Sequence, residues 1–129
     1  MIAQTNFTLV RRVLSGNAIF SGMSGLLLAF ASNPIASFLG IDTPLVVLIL
    51  GIGLVGYAAL IYTNVSRAEI SRSFVLTAII ADSAWVVLSA ILLVTGWVPF
   101  STEGKWAVGI IAVIVDIFAT VQFLEWRKM

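Results

Sequence analysis

The chain contains no cysteine and no histidine, and only 10% of its residues are charged. Each shortage excludes chemistry. Without thiols there is no disulfide, no thiol redox centre, no zinc–thiolate site and no iron–sulfur cluster. Without imidazole there is no histidine general base, no histidine-ligated haem and little basis for a transition-metal site. The few charges nearly cancel, at a net +1, so no basic surface for nucleic acid is encoded.

What is abundant is apolar surface. Hydrophobic residues make up 60% of the 129 positions, and the mean hydropathy is +1.12. Soluble domains carry about 25% charged residues. A soluble fold of this size has too little interior for so much apolar surface, whereas lipid solvates it directly. Four apolar runs stand out, at residues 13–31, 45–63, 73–97 and 105–126. Each is long enough to cross a hydrocarbon layer at a rise of about 1.5 Å per residue. The gaps between them are short and hold nearly all the charges. The expected fold is therefore all-α: one domain, an integral-membrane antiparallel bundle of four transmembrane helices.

The basic residues set the expected orientation. Arg11 and Arg12 precede the first run, Arg67 and Arg72 lie between the second and third, and Arg127 and Lys128 follow the fourth. The two remaining gaps hold only Lys105. The positive-inside rule then puts both termini in the cytoplasm and Asp42 and Glu103 outside. Helix punctuation agrees. Asn33-Pro34 and Thr43-Pro44 each set a capping residue before a proline, and Gly40 suits a helix stop. Residues 34–39 read as a short interfacial helix. Trp97, Trp106 and Trp126 fall at the boundaries, as an aromatic belt does. Arg11-Arg12, the first run and Ala29-Phe30-Ala31 also mimic a cleavable signal peptide. The run is long for one, and Asn17 and several Ser and Gly residues interrupt it, so a retained span is expected. A shift of 60 residues aligns Arg12 with Arg72 and Arg67 with Arg127, a trace of a duplicated hairpin.

Gly51-Ile52-Gly53-Leu54-Val55-Gly56 matches the dinucleotide pattern G-x-G-x-x-G. That fingerprint needs a preceding strand and an exposed helix N-terminus. Inside a membrane helix its glycines instead serve close helix approach, as Gly22, Gly25 and Gly109 are expected to do.

Two carboxylates fall inside the runs. Asp82 lies ten residues beyond Arg72 and Asp116 eleven before Arg127, so both are about 15 Å deep. An Asp at a helix centre costs about 2.5–3.5 kcal/mol on the translocon scale. No Lys, Arg or His lies at that depth to offset it. Polar groups recur at helical spacing around them: Ala78, Asp82 and Ser89 with Trp85 alongside; Gly109, Ala112, Asp116 and Thr120; Asn17, Ser21 and Ser24; Gly53 and Tyr57. Depth suggests two layers, with Asn17, Tyr62, Thr77 and Gln122 nearer the cytoplasm and Tyr57, Asp82 and Asp116 near the middle. Turned inward, these faces form a small cavity open to the cytoplasm. There Asp82 and Asp116 would hold a proton or a cation, with cation–π help from Trp85 and Tyr57 and with Asn17 and Ser21 in the wall. The competing reading makes the same residues hydrogen-bonding glue between helices.

The text Arg11-Arg12-Val13-Leu14, Asn17-Ala18-Ile19-Phe20-Ser21, Ser24-Gly25-Leu26 and Leu39-Gly40-Ile41, with Ala81-Asp82-Ser83-Ala84-Trp85-Val86, Ser101-Thr102-Glu103-Gly104-Lys105-Trp106 and the closing Arg127-Lys128, resembles a group of small four-helix bacterial membrane proteins, broadly of the DoxX type. The resemblance covers most of the chain and implies a bacterial inner-membrane location. It transfers no catalytic residue, though Asp82 and Trp85 belong to the matching text. The small multidrug exporters resemble the chain in size only: their essential carboxylate is in the first helix, where this chain has Asn17.

Three functions compete. The first is binding or transport of a proton or a small cationic or amphipathic molecule. The second is an accessory or assembly subunit, in a homo-oligomer or with another membrane protein. The third, an enzyme acting on lipid or quinone, has paired carboxylates for acid–base work but no nucleophile, metal site or cofactor motif beside them. No cofactor is expected.

Overall fold

The structure is a computed structural model that describes residues 2–129, with side chains from Thr8 onward. It is all-helical: α1 (Ile2–Phe30), α2 (Ser32–Leu39), α3 (Pro44–Val65), α4 (Arg72–Thr95) and α5 (Thr102–Lys128). Four of these are long and apolar enough to cross a membrane. At most 28% of the residues in the apolar window of any of them are buried within the chain. The remainder, including Ile19, Met23, Ile49, Ile80, Val113 and Ile117, points outward. A helix that is apolar on its outer face needs lipid or protein around it, so the chain reads as a multi-pass membrane protein.

Helix boundaries differ from the expected runs for local reasons. α1 starts well before residue 13 because no Gly or Pro interrupts residues 2–12. α4 stops at Thr95 because Gly96 adopts a left-handed conformation, φ +66°, which ends a helix at little cost for glycine. α5 starts at Thr102 because the Ser101 hydroxyl accepts the Gly104 N–H at 2.9 Å, satisfying one of the orphan donors of a helix start. Ser71 does the same for α4, accepting the Phe74 N–H. Pro44 opens α3 and Gly40 ends α2 with φ +80°, both as expected.

α1 is the hub of the packing, lying against α3 along one side and α5 along another, while α4 packs on α5. The α1–α3 crossing is very close. A Cβ on Gly25 would stand 2.7 Å from the Gly51 carbonyl oxygen, and one on Gly51 would meet the Gly25 carbonyl oxygen at 2.7 Å and the Ala29 nitrogen at 2.7 Å. Only glycine lets two helix backbones approach so closely. Gly53 and Gly56, by contrast, face open space. Within the nucleotide-like motif, one glycine makes the crossing and the other two do not. α3 and α4 stand apart along most of their length.

The two ends are tied by polar contacts. At one, the Ser101 N–H and hydroxyl donate to the carbonyls of Leu39 and Phe38, at 2.8 and 2.5 Å, so α2 is fastened to the start of α5. At the other, Arg11 donates to the carbonyls of Val65, Arg67 and Ala68. These lie at or just past the end of α3, where unpaired carbonyls carry partial negative charge. Arg72 lies over the Trp126 ring at 4.1 Å, and Lys128 pairs with the buried Glu125 at 3.1 Å.

The glycine contrast predicts a mutational pattern. Gly25→Ala and Gly51→Ala should each lower stability in mild detergent by about 1–3 kcal/mol, the usual cost of overpacking. Gly53→Ala and Gly56→Ala should leave it unchanged or raise it by up to about 1 kcal/mol, through helix propensity. Thermal unfolding of the four variants checks this, and equal losses at all four positions would sink the account of the crossing.

Candidate functional site

Helical periodicity sorts each span into an inward stripe and an outward surface. On α1 the buried positions are Val10, Leu14, Asn17, Ser21 and Gly25, repeating every three or four residues. On α4 they include Val75, Ala78, Ile79, Asp82 and Ser89, and on α5 Val115, Ala119, Gln122 and Glu125. The polar members of these stripes meet at one point.

That point is the Asp82 carboxylate, 4% exposed. Its Oδ2 accepts from Asn17 Nδ2 of α1 at 2.7 Å and from Gln122 Nε2 of α5 at 3.0 Å. Its Oδ1 accepts from the Tyr57 hydroxyl of α3 at 2.9 Å. Each of the other three long helices thus sends one donor to a residue of the fourth. The donors are themselves held. Asn17 Nδ2 also donates to Gln122 Oε1 at 3.0 Å, and the Ser21 hydroxyl donates to Asn17 Oδ1 at 3.0 Å. Turning either amide over would aim its oxygen at the carboxylate, so the network fixes both side chains. Interhelical hydrogen bonds in membranes are worth about 0.6 kcal/mol on average and up to about 2 kcal/mol. Three of them roughly balance the cost of about 2.5–3.5 kcal/mol of placing an Asp at a helix centre. Losing one leaves the balance unfavourable.

Asp116 is not part of this cluster. It is exposed on the outer face of α5 and has no hydrogen-bond or ion-pair partner among the described residues. The expected carboxylate pair is therefore corrected. Asp116 is the residue next to the inward Val115, and each step of one residue turns a helix by about 100°. Thr120 is exposed with it, and Tyr62, Thr77 and Gly53 also face outward. The two expected layers collapse into one, with Asn17 and Gln122 beside Tyr57 and Asp82 rather than a turn away. Gln122, which depth alone set apart from Asp82, proves to be one of its ligands.

The cavity is also on the other side of this cluster from the expected one. Toward the Arg11 end, Val10, Leu14, Ile61, Val75 and Ala78 are all fully buried and close off Asp82. Toward the α2 end, where α3 and α4 stand apart, lies a cavity of about 620 Å³. Its walls are mostly apolar, with Val47 and Leu50 from α3 facing Trp85 and Leu92 from α4. Ser89 and Trp85 also line it, on the α4 face that carries Asp82 one turn further in. Asp42 is the one charged side chain in its lining, and the exposed Trp97 stands with it at the outer rim. The Trp85 Nε1–H is buried without a partner, and an unpaired buried donor favours anything that brings it an acceptor.

Among the described residues no three Asp or Glu side chains gather in one place, and Asp82 has only neutral donors around it. Its geometry suits orientation and locking. The cavity beside it has the size of a small-molecule site. Compared with protein-family models, with curated proteins and with solved structures, the chain matches none of them.

The network predicts unequal effects of two substitutions. Asp82→Leu strands the donors of Asn17, Tyr57 and Gln122 and should cost about 3 kcal/mol or more. Asp82→Asn should cost only about 1 kcal/mol. Its oxygen keeps the two amide donors, and its N–H₂ meets Tyr57, whose hydroxyl can donate instead to the Ala78 carbonyl, 3.4 Å away. Unfolding in mild detergent measures both, and an Asn variant as damaged as the Leu variant would overturn this reading of the cluster.

Proposed function

We propose that the protein is a multi-pass protein of a bacterial inner membrane, an antiparallel four-helix bundle with both termini in the cytoplasm, that binds one small cationic amphiphile in the cavity between α3 and α4. The orientation follows from Arg11, Arg12, Arg67, Arg72, Arg127 and Lys128 lying at one end and Lys105 at the other. The cavity then opens toward the outer leaflet.

The observation that carries the reading is the cavity itself. Its volume, about 620 Å³, falls within the range of roughly 300–1,000 Å³ typical of small-molecule sites. Apolar walls favour a hydrocarbon body. The gap between α3 and α4 admits such a body sideways from the bilayer, without passage through water. Asp42 at the rim, with no basic residue in the lining, favours a cationic head, and Trp97 adds an aromatic face to it. Inside, the unpaired Trp85 N–H and the Ser89 hydroxyl offer hydrogen bonds to an acceptor on the ligand. The layer of Asp82, Asn17, Tyr57 and Gln122 is the floor. Transport from this site requires that layer to part, because the apolar plug toward the Arg11 end is closed. Asp82 in this reading is a gate element and not a direct ligand.

The test uses an alkyl quaternary ammonium compound and its uncharged isostere, titrated against the purified protein by tryptophan fluorescence or calorimetry. Both should bind the wild type, the cation more tightly. Asp42→Asn should weaken the cation by about five- to tenfold, the effect of a rim charge worth roughly 1 kcal/mol, and leave the isostere unchanged. Ser89→Trp, whose ring projects into the cavity, should weaken both strongly. Affinities unchanged by Ser89→Trp and by a second intrusion from the facing wall, Val47→Trp, would remove the cavity from the proposal.

A further inference from the structure

The outer face of α5 carries a feature that neither the cavity nor the Asp82 cluster uses. Asp116 lies 14 residues from Thr102 and 12 from Lys128 in a helix spanning Thr102–Lys128, so it is about 20 Å from either end at the usual helical rise. It is exposed and has no hydrogen-bond or ion-pair partner among the described residues. Its side chain is too short to reach a headgroup from that depth, and lipid tails offer it nothing. Next to it along the same face runs a groove of about 650 Å³, lined by Leu93 of α4 and by Trp106, Gly109, Ile110 and Val113 of α5, with Lys105 at the end far from Asp116. Gly109 and Val113 precede Asp116 by seven and three residues, which sets all three on one stripe of the helix. A rod lying in this groove along α5 would pass directly over Asp116.

We infer that this face docks a transmembrane helix of another protein, one carrying a Lys or Arg at the depth of Asp116. Charge complementarity selects that occupant. An unpaired mid-membrane acid is matched by a basic side chain held against it, with the water-free surroundings strengthening the pair. A second copy of this chain does not fit. Presenting the same face, it brings another Asp116, and its own basic residues on α5, Lys105, Arg127 and Lys128, are eleven or twelve positions away, about 16–18 Å along the helix. The groove supplies the shape: Gly109 lets a neighbouring helix approach, as small residues do at membrane interfaces. The inference rests on the membrane-spanning reading and is independent of what the cavity binds.

The experiment presents model helices rather than a lysate. The full-length protein carries a photo-crosslinking residue in place of Val113 or Ile117. It is co-expressed in bacterial membranes with single-span leucine–alanine helices bearing Lys, Arg, Leu or Asp at the centre. The Lys and Arg helices should be captured about tenfold more than the Leu helix, a factor corresponding to about 1.4 kcal/mol. Asp116→Leu should abolish the preference. Asp116→Lys should transfer it to the Asp helix, which simple loss of folding would not do. Because Asp116 has no partner within the chain, Asp116→Leu should leave thermal stability in detergent unchanged, and that control separates docking from damage. Equal capture of Lys and Leu helices by a membrane-inserted chain overturns the pairing. So does predominant crosslinking of one copy to another. A chain that alkaline carbonate strips from the membrane overturns the spanning reading itself and, with it, this inference.

Discussion

The hydrogen bonds to the Asp82 carboxylate are the constraint on which the rest of the arrangement depends. Helices in lipid gain little by burying apolar surface against one another, because the surrounding tails are equally apolar. A single buried acid changes that. It is costly unless satisfied, and here its partners, Asn17, Tyr57 and Gln122, come one from each of the other long helices. Rotating any of these helices by one residue would withdraw its donor. The cluster therefore specifies the rotation of all four about their axes, which apolar packing alone leaves nearly free. Ser21 extends the effect by holding the Asn17 amide in its correct sense.

Close contact and open space follow from where glycines fall relative to that point. On the far side of the cluster from Arg11, α1 and α3 cross at Gly25 and Gly51 with backbones almost touching. Drawing α3 tightly onto α1 leaves it apart from α4 at the same level, and the cavity lies in the space between them. Toward the Arg11 end the space is filled by Val10, Leu14, Ile61 and Val75. A molecule with one dense half and one open half results: the polar layer sits at their junction, a floor to the cavity and a lid over the apolar plug. The basic residues at the dense end also make contacts: Arg11 caps the carbonyls around the end of α3 and Arg72 covers Trp126.

The two proposals draw on opposite faces of the molecule. Binding of an amphiphile uses the gap between α3 and α4, docking of a helix uses the outer surface of α5, and no residue is shared. Asp82 joins them only as the element that holds both faces in register. This division resolves what looked, in one dimension, like a single pair of carboxylates: one is a lock inside the helix packing and the other an unmatched charge outside it.

Much was legible in the one-dimensional text. The number of long apolar helices, their approximate limits, the stop at Gly40 and the start at Pro44 all follow from local chemistry and a fixed rise per residue. So does the recognition that G-x-G-x-x-G could not bind a nucleotide inside such a run. What the residue order by itself could not decide was facing. Helix α5 carries two polar stripes, Asp116 with Thr120 and Gln122 with Glu125. Both are compatible with an inward turn, and only the packing of Val115 and Ala119 against the interior chose the second. The same ambiguity hid the cavity, because whether α3 and α4 meet or part depends on the glycine crossing of α1 and α3, a contact between residues 26 positions apart. Local sequence determines how far along its own helix a side chain stands. Its direction is decided by interactions among all the helices at once, and on an apolar helix in an apolar solvent nothing local supplies it.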